Sequence, residues 1–270
     1  MAAQWFMLLY GLLICWGGGL LAFAGLAGLL GIVGRARTVG LVASAVLVVA
    51  GIVVLALRLG DPTSVMAMAS GAMRGSPKSL EFVAAVACFV AAIVVLVADQ
   101  RTESASVARV LGAICLVLGI ALGVVGGLSA AVGRTAYTGA LCVAYLGNAL
   151  TMGGATAVAL VAGCREDLHE ARLPIAVALG CAALQLVGVV WYGAQSGAAE
   201  NAALFWGLAV VVGCLLPLGC LALVRRASVL AFVGAVGAVA CGVALRVLVT
   251  EGGTSSLNLL AAAALHAPVA

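Results

Sequence analysis

In the stretch LALRLGDPTSVMAMASGAMRGSPKSLEFVAAV, Leu55 to Val86, Arg58 closes one apolar run and Glu81 opens the next. A carboxylate can accept a proton as a general base. A guanidinium can hold an oxygen atom and stabilise negative charge that develops on it. It cannot relay a proton itself, because it stays charged at every working pH. Together they suit a small lipophilic molecule that gives up protons as it is oxidised, and a quinol is such a molecule. Glu81 is the candidate catalytic residue, as proton acceptor, and Arg58 is the candidate partner for the quinone oxygen. Nothing in the chain carries an electron onward. Such a site needs a redox partner docked on the loops, where Arg74, Lys78 and Arg134 offer positive charge.

Other polar side chains fall at the same edge. Arg134 ends the fourth apolar run, Tyr137 precedes the fifth, Trp191 and Tyr192 end the sixth, and Arg246 lies one turn from the end of the eighth. An ionisable residue within an apolar slab is costly unless paired, which makes it a candidate for function. Arg246 and Tyr137 therefore join Arg58 and Glu81 as candidate quinol-binding residues. A plainer reading stands beside this one. Arg58 and Arg246 could snorkel to lipid headgroups, and Trp191 and Tyr192 could form an aromatic belt. Glu81 fits the plain reading worst, because its side chain is too short to snorkel. Asn148 and Gln185, near the middle of their runs, read as hydrogen-bond partners between helices.

The elements that position these groups follow from composition. The chain has 270 residues, 66% apolar and 8% charged. Soluble domains carry about 25% charged residues. The expected fold is all-α, a polytopic membrane protein with a bundle of eight transmembrane helices near 5–31, 38–58, 80–98, 107–133, 138–163, 173–195, 202–224 and 228–249. Each run is close to the ~20 residues that cross a bilayer. Residues 1–250 form the helical domain, and 251–270 a short tail. The N-terminal run has no basic flank and is longer than a signal-peptide core, so it is expected to remain as a span. Span 7 is expected to kink at Pro217. The long connection 59–79 is expected to fold back on the bundle as a short helix.

Eight arginines flank the inner ends of the spans and three basic residues flank the outer ends, with Arg35 and Arg37 assigned to inner loops. The positive-inside rule then puts both termini outside. The nine cysteines include no CxxC pair, and eight lie within apolar runs, where cysteine acts as a small hydrophobe. The two histidines, His169 and His266, lie outside the spans. Intramembrane haem of the bis-histidine kind is not expected, nor is a metal site. Glycine-rich stretches such as GGGLLAFAG and MGGATA predict closely packed helices.

LRLGDP at the end of span 2, a long loop, and SLEF opening span 3 resemble the membrane anchor subunit of dimethyl sulfoxide reductase, the DmsC family. LTMGGATAVALVAG, Leu150 to Gly163, is similar to that family's fifth span. The likeness is specific over 55–82, fair over 138–163 and architectural elsewhere. The eight spans and outward termini also agree. Glu81 matches the family's glutamate, whereas Arg58 stands where the family has a histidine implicated in menaquinol binding. Arg246 matches a family arginine but lacks the aromatics that follow it there.

The resemblance implies an anchor in the cytoplasmic membrane that oxidises menaquinol at the outer face without pumping. It implies two partners, a four-cluster ferredoxin-like iron–sulfur subunit and a molybdopterin catalytic subunit, with no haem or covalent cofactor in this chain. Its environment is the lipid bilayer, and nothing points to nucleic acid. Two alternatives remain open. One is a polysulfide- or nitrite-reductase-type (NrfD-like) anchor, and the other is a small-solute transporter or structural membrane protein.

Overall fold

Inside a bilayer no water is at hand for backbone N–H and C=O groups, so each apolar run must satisfy them internally as a helix. The computed structural model describes all residues except 1, 33, 61–62, 64–66, 68–69, 72–74, 102–104, 134, 198–202 and 266–270, with backbone only for 2–4, 100, 135 and 251–265. Among the described residues there is no strand. The helices are α1 (Ala2–Leu29), α2 (Arg35–Leu59), α3 (Pro77–Arg101), α4 (Ala105–Ala130), α5 (Thr138–Gly163), α6 (Arg172–Ser196), α7 and α8 (Val229–Leu265). Helix α7 is π-helical over Ala203–Leu215 and α-helical over Leu216–Leu223. Eight segments are long and apolar enough to cross a membrane. The chain is a multi-pass helical membrane protein.

Helices α1 and α5 lie at the centre, with 61% of each span buried, against 33% for α3 and α6. Helix α5 is also the least apolar span. That inversion is expected in lipid. Outer helices must match hydrocarbon, while a central helix can carry polar side chains that neighbouring helices satisfy.

Glycine decides how closely the two central helices cross. A Cβ on Gly19 would overlap the Ala149 carbonyl, and one on Gly153 would overlap the Gly19 backbone. Lipid tails are as apolar as leucine, so this contact is held by dispersion and hydrogen bonds, not by exclusion of water. Between α1 and α5, Trp16 Nε1 donates to Thr156 Oγ1 at 2.9 Å, and on the other side of α1 Ser44 Oγ of α2 donates to the Gly17 carbonyl at 2.7 Å.

Pro217 acts differently from the kink expected. It has no N–H for the carbonyl four residues earlier, that of Gly213. The turn upstream widens to π-helical geometry, and Gln185 Nε2 of α6 donates to the Gly213 carbonyl at 3.0 Å. Asn148 Nδ2 of α5 likewise donates to the Ala238 carbonyl of α8 at 3.2 Å. Both mid-span amides therefore join helices.

Two boundaries differ from expectation. Helix α2 begins at Arg35, so Arg37 belongs to the span and is buried, not in a loop. Helix α8 runs past its apolar part to Leu265, so residues 251–265 continue that helix. In the connection after α2, Gly60 ends the helix in the left-handed region at φ 68° and donates to the Ala56 carbonyl. Thr63, Ala67, Ser70 and Gly71 are helical, and Gly71 lies against the Ser79 hydroxyl, which turns this part of the connection back onto α3.

Candidate functional site

A cavity of about 360 Å³ opens at the end of the bundle that holds the start of α1. It lies within the range of ~300–1,000 Å³ usual for small-molecule sites. Its polar lining comes from six helices. Helix α1 gives Tyr10, α2 gives Arg58, α3 gives Lys78 and Glu81, α4 gives Ser129, α5 gives Tyr145, and α8 gives Arg246.

Glu81 stands in the second turn of α3 and is only 6% exposed. A carboxylate so buried needs hydrogen bonds or countercharge. Ser129 hydrogen-bonds to it, and Arg246 and Lys78 are its electrostatic partners. Gly126 on α4 provides the room. A Cβ there would lie 3.8 Å from Glu81 Oε1, 3.8 Å from the Tyr145 ring and 3.1 Å from Cys15 Sγ.

Arg246 does not snorkel. It is 5% exposed and points into the bundle. One terminal nitrogen, Nη2, donates to the Gly11 carbonyl at 2.7 Å. The other, Nη1, donates to the Gly242 carbonyl at 3.0 Å and reaches Asn148 Oδ1 at 3.5 Å. The guanidinium lies 5.0 Å from the Tyr145 ring centroid, a cation–π distance. Its Nε has no hydrogen-bond partner among the described residues, and neither does the Tyr10 hydroxyl.

The structure thus brings Arg58, Glu81, Lys78 and Arg246 to one cavity. Arg58 is exposed at its position on the rim, so the buried cation in the cavity is Arg246. Tyr137 stands apart from that lining. Its ring packs edge-on against Tyr192 at 6.3 Å. Tyr192 is itself buried at 2% exposure, while its neighbour Trp191 faces outward at 43%, so the two residues do not act as one aromatic belt. Arg74 and Arg134 lie outside the described residues.

Sequence reasoning missed Tyr10, Ser129 and Tyr145. A signal was available in their depth. Each lies within about two turns of a span end that shares Glu81's side of the bundle, given 3.6 residues per turn.

The opposite end of the bundle holds a second charged cluster. Arg37 Nη1 pairs with Asp99 Oδ2 at 2.6 Å, and Arg37 Nε donates to the Ala24 carbonyl at 3.3 Å. Glu166 Oε1 accepts from the Ala36 backbone N–H at 2.9 Å, so a carboxylate from the α5–α6 loop satisfies one of the free donors at the start of α2. The cavity beside this cluster measures only about 60 Å³. Cys214 Sγ and Cys241 Sγ also meet, 3.9 Å apart between α7 and α8.

Chemically, the large cavity offers a proton acceptor and three cations, hence net positive charge. It suits a ligand with electron-rich oxygens on an apolar body. No protein-family model and no curated protein matches the chain.

Proposed function

We propose that the chain is the membrane anchor of a dimethyl sulfoxide reductase-like complex, binding and oxidising menaquinol at the cavity described above. One observation carries the reading. A buried carboxylate, Glu81, and a buried guanidinium, Arg246, line one cavity without forming a direct ion pair within 4 Å. A purely structural pair would close up. These two leave room for a third group between them.

In this reading a quinol enters from the lipid. Its hydroxyl gives a proton to Glu81 while the opposite oxygen is held by arginine. The pair of electrons leaves for the iron–sulfur clusters of a partner subunit, which passes them to a molybdopterin subunit. The second proton leaves through the cavity mouth, and the ring departs as quinone. The arginine distribution orients the bundle with this cavity and both termini on the outer face of the cytoplasmic membrane. Lys78, with Arg74 and Arg134, supplies the docking charge for the iron–sulfur partner.

A transporter would place unsatisfied polar groups near the midplane on broken helices. The mid-span Asn148 and the amide nitrogen of Gln185 are engaged with neighbouring helices, which leaves Gln185 Oε1 as the unpaired atom at that depth among the described residues, while the ionisable groups of the large cavity gather at one end of the bundle. The polysulfide-reductase-type anchor shares the proposed site and differs in its partner.

The test is purification of the tagged chain in mild detergent, followed by mass spectrometry with molybdenum and iron analysis. Co-purifying iron–sulfur and molybdopterin subunits are expected. A metal-free chain with no redox partner, even after chemical cross-linking in intact membranes, would overturn the anchor reading.

A further inference from the structure

Two buried polar atoms at the cavity have no hydrogen-bond partner among the described residues, the Tyr10 hydroxyl and Arg246 Nε. Both residues line the cavity, and both are nearly inaccessible, at 4% and 5% exposure. A buried donor left unpaired destabilises the fold. Phenylalanine at position 10 would fill the same space among apolar neighbours without that cost. The other guanidinium nitrogens of Arg246 are already engaged, by Gly11, Gly242 and Asn148. Its Nε is the guanidinium nitrogen with no partner among the described residues.

The two atoms belong to adjoining positions. Tyr10 precedes Gly11, whose carbonyl accepts from Arg246, and Arg246 Nε would lie 3.3 Å from a Cβ on Gly11. Tyr10 has Glu81 as its electrostatic neighbour, whereas Arg246 lies over the Tyr145 ring. Glu81 and Ser129 face it from α3 and α4.

We infer that Tyr10 is a further substrate-contacting residue, donating to the oxygen of a two-oxygen aromatic ligand that faces Glu81, while Arg246 holds the other oxygen. The inference rests on the menaquinol reading and deepens it. It assigns a donor to the oxygen that faces Glu81, which that reading leaves without one. It predicts that the cavity takes a ring oxygenated at opposite positions in preference to other lipophilic rings. A site built to hydrogen-bond an oxygen discriminates strongly against a ligand lacking it.

The experiment uses the full chain in lipid nanodiscs and 2-methyl-1,4-naphthoquinone as the probe. Binding is titrated to wild type and to Tyr10→Phe, with 2-methylnaphthalene as the oxygen-free control. Tyr10→Phe should bind the quinone roughly tenfold more weakly, with a ligand-free melting temperature at or above that of wild type and unchanged affinity for the control. Infrared spectra of the quinone bound to wild type should show a carbonyl stretch lowered by hydrogen bonding, a readout that needs no variant.

Equal quinone affinity in the two proteins, or an unshifted carbonyl stretch, would overturn the role of Tyr10 and leave the menaquinol reading standing. Absence of saturable quinone binding to wild type would overturn both. If Tyr10→Phe fails to fold, the stretch in wild type decides alone.

Discussion

Arg37 with Asp99 at one end of the bundle, and Arg246 with Glu81 at the other, use the same two kinds of side chain to opposite effect. Arg37, Arg246 and Glu81 are equally buried, at 5%, 5% and 6% exposure. Arg37 touches its carboxylate at 2.6 Å beside a cavity of about 60 Å³. Arg246 spends its terminal nitrogens on backbone carbonyls and on Asn148, and shares a cavity of about 360 Å³ with Glu81. A closed pair neutralises itself and ties α2 to α3. An open pair keeps reactive capacity on both partners. The difference separates a structural ion pair from a site, although composition makes the two look alike.

The sharpest way to break the comparison is to remove one partner of the closed pair. Arg37→Met should destabilise the bundle by about 3 kcal/mol, the low end for a buried pair, because Asp99 is left without its countercharge but is 22% exposed. Thermal unfolding in detergent would report it as a large loss. A melting temperature within a degree or two of wild type would mean the pair holds nothing together. Removing both charges, as Arg37→Met with Asp99→Leu, should recover most of the loss.

A smaller effect is expected at the π-helical turn. Gln185→Leu leaves the Gly213 carbonyl without its donor, at a cost of about 1–3 kcal/mol. The same unfolding measurement checks it. No change would show that the widened turn satisfies that carbonyl by itself.

The smallest effect belongs to the rim. Arg58 is exposed where it lines the cavity, and exposed charges contribute up to ~1 kcal/mol. Arg58→Ala should weaken naphthoquinone binding by roughly fivefold or less, while Arg58→His should bind as well as wild type. Loss of binding on Arg58→Ala comparable to loss of a buried residue would move the centre of the site from Arg246 to the rim.

Much of this was legible in the residues. Charge is so rare in the chain that Arg58, Glu81 and Arg246 stand out, and the span order alone puts them at one end. The eight-span architecture follows from run length. Other features are decided by helix phase, which run length does not carry. Arg35 and Arg37 sit two residues apart, yet Arg35 is exposed and Arg37 is buried against Ala24 and Asp99.

Tyr10 and Tyr145 look like ordinary interface tyrosines until α3 brings Glu81 near the first and α8 brings Arg246 over the second. Pro217 marks a break in span 7, but the π-helical stretch it accompanies runs back to Ala203. No local residue pattern specifies that length. It depends on Gln185 from another helix reaching the freed carbonyl.

The most direct test of the open site is quinol oxidation by the assembled complex carrying Glu81→Gln. The amide keeps the size of the carboxyl and cannot take up the proton as a carboxylate does. Menaquinol-driven turnover should fall by about 10²–10⁴-fold, with the partner subunits still bound and the melting temperature unchanged. Turnover at the wild-type rate in such an intact complex would contradict the claim that Glu81 accepts the quinol proton.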